Sequence, residues 1–304
     1  MNRRVGSGTV ITYCTTGVLL RQLQEGSPHN ITHIIVDEIH ERSVLSDFLL
    51  LLLKRLLPAH PALKVVLMSA TIDQSLFSAY FGGIPSLSVE GRLFPVQEKY
   101  LEDIVFDTRY KPSGVTQPLG EATSPVDRSQ VLTEWCERYQ VYGLIPHLLQ
   151  HLFSQTWKGG VVLVFLSGAA EIKSVARLID EAFAGSSLGV EVIVCHGSLS
   201  TVEQKRVFER PAAGRRRVVL STNIAETSLT IPDCTVVIDT GREKRVLFNP
   251  NSNITEMKEV WVSRASAEQR KGRAGRVRSG TVFRLFTRAK YRAFEEFTPP
   301  EMLR

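Results

Sequence analysis

Short, nearly continuous apolar runs recur along this chain, each followed by a stretch with helical spacing. Thr9–Tyr13 is rich in β-formers and leads into a helical segment over Gly17–Gln24. Thr32–Val36 has the character of a buried strand and ends at Asp37. Ser46–Leu57 reads as a helix, with Asp47 in its first turn and Pro58 just beyond its end. Lys64–Met68 predicts a further strand, and Asp73–Phe81 a further helix. Continuous apolar strands joined through helices belong to parallel sheets covered on both faces.

From about 102 to 140 the pattern breaks. Pro112, Gly114, Pro118, Gly120 and Pro125 fall in a polar stretch that reads as a linker or surface insertion. A second αβ pattern then begins. Helices are predicted over Ile145–Gln155, Ala169–Ala182 and Ser200–Glu209, the last with Ser200 and Glu203 spaced as a capping box. Strands are predicted at Val161–Leu166, Val190–Val194, Arg217–Leu220 and Thr235–Ile238. Arg242–Val262 carries two β-rich arms around Asn249-Pro250-Asn251, a hairpin pattern.

The 304 residues allow about two domains of ordinary size. The longest uninterrupted run in the leucine-rich stretch, Phe48 to Leu53, stops at Lys54, far short of the ~20 residues that span a bilayer. No apolar stretch follows Arg3 and Arg4, so a secretory signal is not expected. Cys14, Cys136, Cys195 and Cys234 form no CxxC pair, which fits a reducing compartment and argues against zinc, Cys195-His196 included. Charge is uneven: residues 205–304 hold 21 Lys/Arg against 11 Asp/Glu, while residues 1–204 hold 16 against 20. A basic C-terminal lobe suits a polyanion, although a solvated basic face would give the same count.

Four segments carry candidate chemistry. Asp37-Glu38 closes a parallel strand, where such sheets bind ligands, and adjacent carboxylates suit a magnesium ion and an attacking water. Ser69-Ala70-Thr71 closes the next strand; its hydroxyls suit phosphate sensing, or Thr71 caps the following helix. Ser221–Ser228 follows a third strand with a run of short donors suited to phosphate, or to a cap and turn. Gln269–Arg276 places Arg273 and Arg276 three apart at the start of a predicted helix, where guanidinium forks grip phosphate. Gly272 and Gly275 cost that helix roughly 1 kcal/mol each, which implies a close approach by something.

Together with Thr15–Arg21, Phe165–Gly168 and Thr298–Glu301, these segments make the chain resemble the DEAH-box ATP-dependent RNA helicases of superfamily 2. The resemblance implies an α/β fold of two RecA-like parallel-sheet lobes, the first incomplete at its N-terminus. It divides the chain into 1–101, a linker or insertion at 102–140, a second lobe at 141–288, and the start of a winged-helix region at 289–304. It implies ATP and Mg²⁺ as cofactors, with Asp37 and Glu38 at the metal, Glu38 polarising the water and His40 linking the nucleotide site to the second lobe. Ser69 and Thr71 would couple hydrolysis to unwinding. Gln269, Arg273 and Arg276, with Gly272 between them, would reach the γ-phosphate, and Phe208 would stack on adenine. Thr16, Gly17, Arg21, Ser167, Gly168, Thr222 and Asn223 would grip the RNA backbone with little base specificity, and the hairpin would wedge against a duplex. A monomer in the cytoplasm (the nucleus being second choice), with an activating protein or ribonucleoprotein partner and no membrane, follows from the same likeness.

Two departures temper it. Pro232 stands where many members carry an acidic residue near the ribose. No Gly-Lys-Ser or Gly-Lys-Thr occurs in the 304 residues, so the phosphate loop expected before Asp37 is not in this chain. The expectation is therefore that these residues alone hydrolyse no ATP, or that they act as a loop-less binding module, with the rest of the first lobe expected before them and winged-helix, ratchet and oligonucleotide-binding domains after them.

Overall fold

The computed structural model describes residues 5–6, 8–26, 31–70, 74–89, 91, 94–112, 114, 125–139, 141–155, 159–209, 211, 214–227, 229–249 and 253–304. The chain forms two compact units, one of residues 1–89 with 299–304 and one of residues 90–298.

In the first unit, helix α1 (Thr16–Glu25) precedes strand β1 (His33–Val36), helix α2 (Val44–Leu56), strand β2 (Lys64–Leu67) and helix α3 (Gln74–Tyr80). β1 and β2 pair in parallel, with Val36 opposite Leu67. Ser43 caps α2 through the Ser46 amide, one turn earlier than the sequence suggests. Leu49, Leu50 and Leu53 turn inward from α2 and meet Ile34, Val36 and Ile39 in a small core. The other face of the sheet is open: Ile35 is 61% exposed and Val66 44%. Thr9–Tyr13, for all its β-formers, is exposed and outside any strand, because no partner strand lies beside it among the described residues.

The second unit is built on a six-stranded parallel sheet of β3 (Val96–Lys99), β4 (Val161–Phe165), β5 (Val190–Cys195), β6 (Arg216–Ser221), β7 (Cys234–Asp239) and β10 (Gly280–Arg284), in the order β3-β10-β7-β4-β6-β5. All five residues of β4 are buried, as befits the middle of a sheet covered on both faces. Helix α7 (Ala169–Phe183) covers one face through Ile172, Val175 and Ile179, spaced three and four apart. Helix α8 (Thr201–Lys205) opens on the expected box, Ser200 accepting from the Glu203 amide and Glu203 accepting from the Ser200 amide. Strands β8 (Arg242–Asn249) and β9 (Ile254–Trp261) form the expected antiparallel hairpin.

Three expectations need correction. The stretch 102–140 is not simply a linker: it holds helix α4 (Leu101–Thr108) and helix α5 (Pro125–Arg138), and both bury side chains in the main core with helix α6 (Leu144–Gln155). Leu101, Ile104, Val105 and Thr108 are buried at a helical i, i+3, i+4, i+7 spacing that the surrounding prolines and glycines masked. The compact unit accordingly starts at residue 90 rather than 141, and residues 299–304 group with the first unit. Finally, Gln269–Arg276 does not open a helix. Helix α9 (Arg264–Gly272) starts at the Ser263 cap, and Arg273–Gly275 forms a 3-10 turn at its C-terminal end.

Candidate functional site

The first unit presents its acids at the carboxyl ends of β1 and β2. Asp37 is exposed, and one of its oxygens accepts from the Glu38 amide at 2.9 Å. Glu38 sits in the left-handed region at φ +55°, and Arg42 at φ +49°. Two such residues four positions apart are costly for side chains with a Cβ and mark a turn held by its surroundings. The holding groups are visible. The Ile39 amide donates to Met68 O across the two strand ends, and the Ile39 side chain is only 2% exposed. Arg42 pairs with Asp47 at 2.7 Å. The turn brings His40 Nδ1 within 3.1 Å of Ser69 Oγ and 3.4 Å of a Glu38 carboxylate oxygen. Asp37, Glu38, His40 and Ser69 thus meet on one edge, while Thr71 lies outside the described residues.

Among the described residues no three His, Cys, Asp or Glu side chains are grouped to hold a metal alone. The two carboxylates nonetheless fit Mg²⁺, which is usually held by one or two acids plus waters and substrate phosphates. Thr16 and Gly17 open α1, and Arg21 projects from it into solvent.

In the second unit the strand register gathers the remaining segments. Phe165 lies opposite Ser221 on one side and Asp239 on the other, at the point where the chain order reverses about β4. Open α/β sheets bind ligands at this place. Ser167, Gly168, Thr222 and Asn223 follow these strand ends directly. Asn223 is exposed and Thr222 half-buried, but Ser167 is buried and its hydroxyl donates to Glu259 on β9 at 2.5 Å. A Cβ on Gly168 would stand 2.7 Å from Glu171 Oε2 and 2.9 Å from Lys244 Nζ, so glycine allows that ion pair to cross in front of the backbone. Phe208 is 44% exposed while its neighbour Val207 enters the core, so core packing does not explain the ring.

Beneath this edge lies a buried charge cluster that sequence reading did not pick out. Arg270, with no exposed side-chain surface, donates to Glu226 Oε2 and Asp239 Oδ1, each at 2.9 Å, and its guanidinium lies 4.9 Å from the Phe165 ring centre. Ser266 donates to the other Glu226 oxygen at 2.5 Å. Burial pushes the Glu226 carboxyl up, against the opposing pull of Arg270 and Ser266. Burial alone would lower the Arg270 pKa, but Asp239 and Glu226 outweigh it and the guanidinium stays firmly charged. The cluster fixes α9, and with it Gln269 and Arg273, to the loop after β6. Arg273 is half-buried, and Arg276 is exposed and donates to Thr230 Oγ1. The two glycines differ. A Cβ on Gly275 would meet Phe94 O at 2.7 Å, whereas Gly272 faces open space. The close approach at Gly275 is thus made by the chain's own β3 approach, not by a ligand.

The family description "Helicase conserved C-terminal domain" matches residues 144–278. A putative DEAH-box ATP-dependent helicase of Mycosarcoma maydis is 41% identical over 94% of this chain and 20% of its own length. The chain belongs to the DEAH-box helicases of superfamily 2. The human ATP-dependent RNA helicase DHX29 is 39% identical over 100% of this DEAH-box chain and 25% of its own length. The solved E. coli DExH-box NTPase HrpB superposes with a TM-score of 0.73 at 30% identity, covering 94% of this chain and 31% of that one. The DEAH-box chain therefore spans between a fifth and a third of the curated relatives it matches. The α/β sheet of its second unit is the RecA-like sheet of this family. Among the described residues no helix is long and apolar enough to cross a membrane.

Proposed function

We propose that this chain carries the motor residues of an RNA helicase, in which nucleotide hydrolysis drives movement along RNA. The observation that carries the reading is the Arg270 cluster, which ties the helix bearing Gln269, and the turn with Arg273 that ends it, to the loop bearing Thr222 and Asn223. A motor needs its phosphate-facing and strand-facing residues joined in this way. Mg²⁺ with ATP, held by Asp37 and Glu38, would supply charge neutralisation at the β- and γ-phosphates. Glu38 orients the attacking water and His40 hydrogen-bonds Ser69. Gln269, Arg273 and Arg276 stabilise the developing charge on the γ-phosphate, and Phe208 stacks on the base. Thr16, Gly17, Arg21, Thr222 and Asn223 hold the RNA backbone. Ser167 and Gly168 shape that surface, Ser167 through Glu259 rather than with a free hydroxyl.

A second reading is favoured by one sequence fact, the lack of any Gly-Lys-Ser/Thr among the 304 residues. Without that loop the β- and γ-phosphates lose their main cradle, and the chain by itself binds RNA without turnover. Both readings predict RNA binding that weakens as salt rises, with Asn223→Ala and Arg21→Ala each lowering affinity. Salt-independent or absent binding of single-stranded RNA in an anisotropy titration would rule both out. RNA-stimulated phosphate release separates them. None is expected from the chain as it stands. In any longer form that carries the loop, Glu38→Gln should abolish turnover and spare ATP binding.

A further inference from the structure

A cavity of about 260 Å³ opens at the root of the β8–β9 hairpin, lined by Tyr139, Tyr142, Thr240, Arg242, Glu259 and Trp261 among others. It opens to solvent, and Tyr139 among its lining residues is 50% exposed. It is smaller than sites for whole drug-sized ligands, and aromatic walls with a few convergent polar groups are what binding sites use.

The polar groups are already held in place. Glu259 is fixed by the 2.5 Å bond from Ser167. The Arg242 guanidinium stacks 3.4 Å from the Trp261 ring centre and donates to Cys136 O at 3.2 Å. Burial pushes the Tyr142 phenol up to about 12, with the Ser167 hydroxyl opposing, so the phenol keeps its proton. A carboxylate and a guanidinium at one cavity disfavour a charged occupant of either sign. They suit a neutral planar ring that offers an amine on one edge and a carbonyl or ring nitrogen on another. Nucleobases have that pattern, and unstacked RNA bases are recognised by aromatic stacking plus edge hydrogen bonds.

We propose that this cavity receives one base of a bound single strand. The proposal rests on the reading that RNA runs along the Ser167–Thr222 edge, because Ser167 bonds directly to the Glu259 that lines the cavity. One nucleotide would then leave the stack, and binding would be sensitive to the base at that position.

The test scans a fluorescent single-stranded RNA with one abasic site at each position in turn, titrated with the purified chain. One position should lose about tenfold in affinity and the others little, as expected for loss of one stacked base. Glu259→Gln and Arg242→Lys, checked for an unchanged melting temperature, should weaken intact RNA several-fold and erase the penalty at that position. Tyr142→Phe, which keeps the wall ring, serves where either variant melts early. RNA that binds with every abasic position equivalent overturns the proposal and leaves the helicase reading standing; a cavity serving a protein segment would give that result. No RNA binding at all overturns both.

Discussion

The two units hold their candidate residues by opposite means. In the first, a strained turn with two left-handed residues carries exposed acids above a two-stranded sheet whose outer face is open. In the second, buried charges anchor the candidate helix to a six-stranded sheet covered on both sides. Exposed carboxylates can be aimed by backbone geometry alone, since water solvates whatever they do not bind. Arginines that must point one way need their helix fixed, and here the fixing comes from a partner one residue along the chain from Gln269.

Removing that partner gives the largest expected effect. Arg270→Ala leaves Glu226 and Asp239 buried without their counter-charge, and loss of one member of a buried pair costs about 3–5 kcal/mol. Urea unfolding should show that loss, whereas a change below about 1 kcal/mol would mean that the cluster does not anchor α9. The variant's RNA affinity, measured where it remains folded, should fall as well, because the loop at 222–227 loses the same tie.

The paired glycines give a smaller contrast. Gly275→Ala drives a methyl against a carbonyl oxygen and should destabilise by about 1–3 kcal/mol. Gly272→Ala meets nothing within 4 Å and adds helix propensity, so it should stabilise by about 0.5–1 kcal/mol. Equal effects at the two positions would contradict the local packing.

Acid should also act on the second unit through Glu98 and Glu268. Burial would raise both carboxyls, but the hydrogen bond from Lys271 and the charge on Arg284 outweigh it, and both sit below the ordinary 4.5. A depressed folded pKa lends stability that is present above 4.5 and is lost as pH falls through the folded value. Melting temperature should drop through that range, and the drop should be shallower in Glu268→Gln. Parallel acid limbs for the two proteins would remove these carboxyls from the account.

Much of this was legible in the residues. The strands at 161–166 and 235–238, the hairpin and the capping box at Ser200 come from local signals: apolar continuity, turn residues, a side chain three positions away. Acids at a strand end were legible because a parallel sheet puts its ligands there. What escaped was non-local. Helix α4 has a clean buried stripe, but its worth depends on α6 lying opposite. The Arg270 cluster joins residues 226, 239 and 270, and no window of sequence shows that a charge ending an apolar strand has a guanidinium beneath it. Arginine and glycine dominate the segment around Gln269 and hide the helix start, because the cap that sets it, Ser263, lies six residues earlier.

The smallest expected effect probes the open sheet of the first unit. Ile35 is a β-branched residue on a strand, yet 61% of it is exposed, so it contributes little transfer free energy. Ile35→Thr keeps the branched shape and β preference and should change stability by no more than about 0.5 kcal/mol. Leu163→Ala, fully buried on the matching central strand of the second unit, should cost about 2–5 kcal/mol. The same Ile35 variant should lower self-association in sedimentation, because Ile35 and Val66 lie on neighbouring strands and together expose apolar surface. If Ile35→Thr instead destabilises as a core residue would, the face is covered in solution, and the contrast between an open first sheet and a closed second one fails.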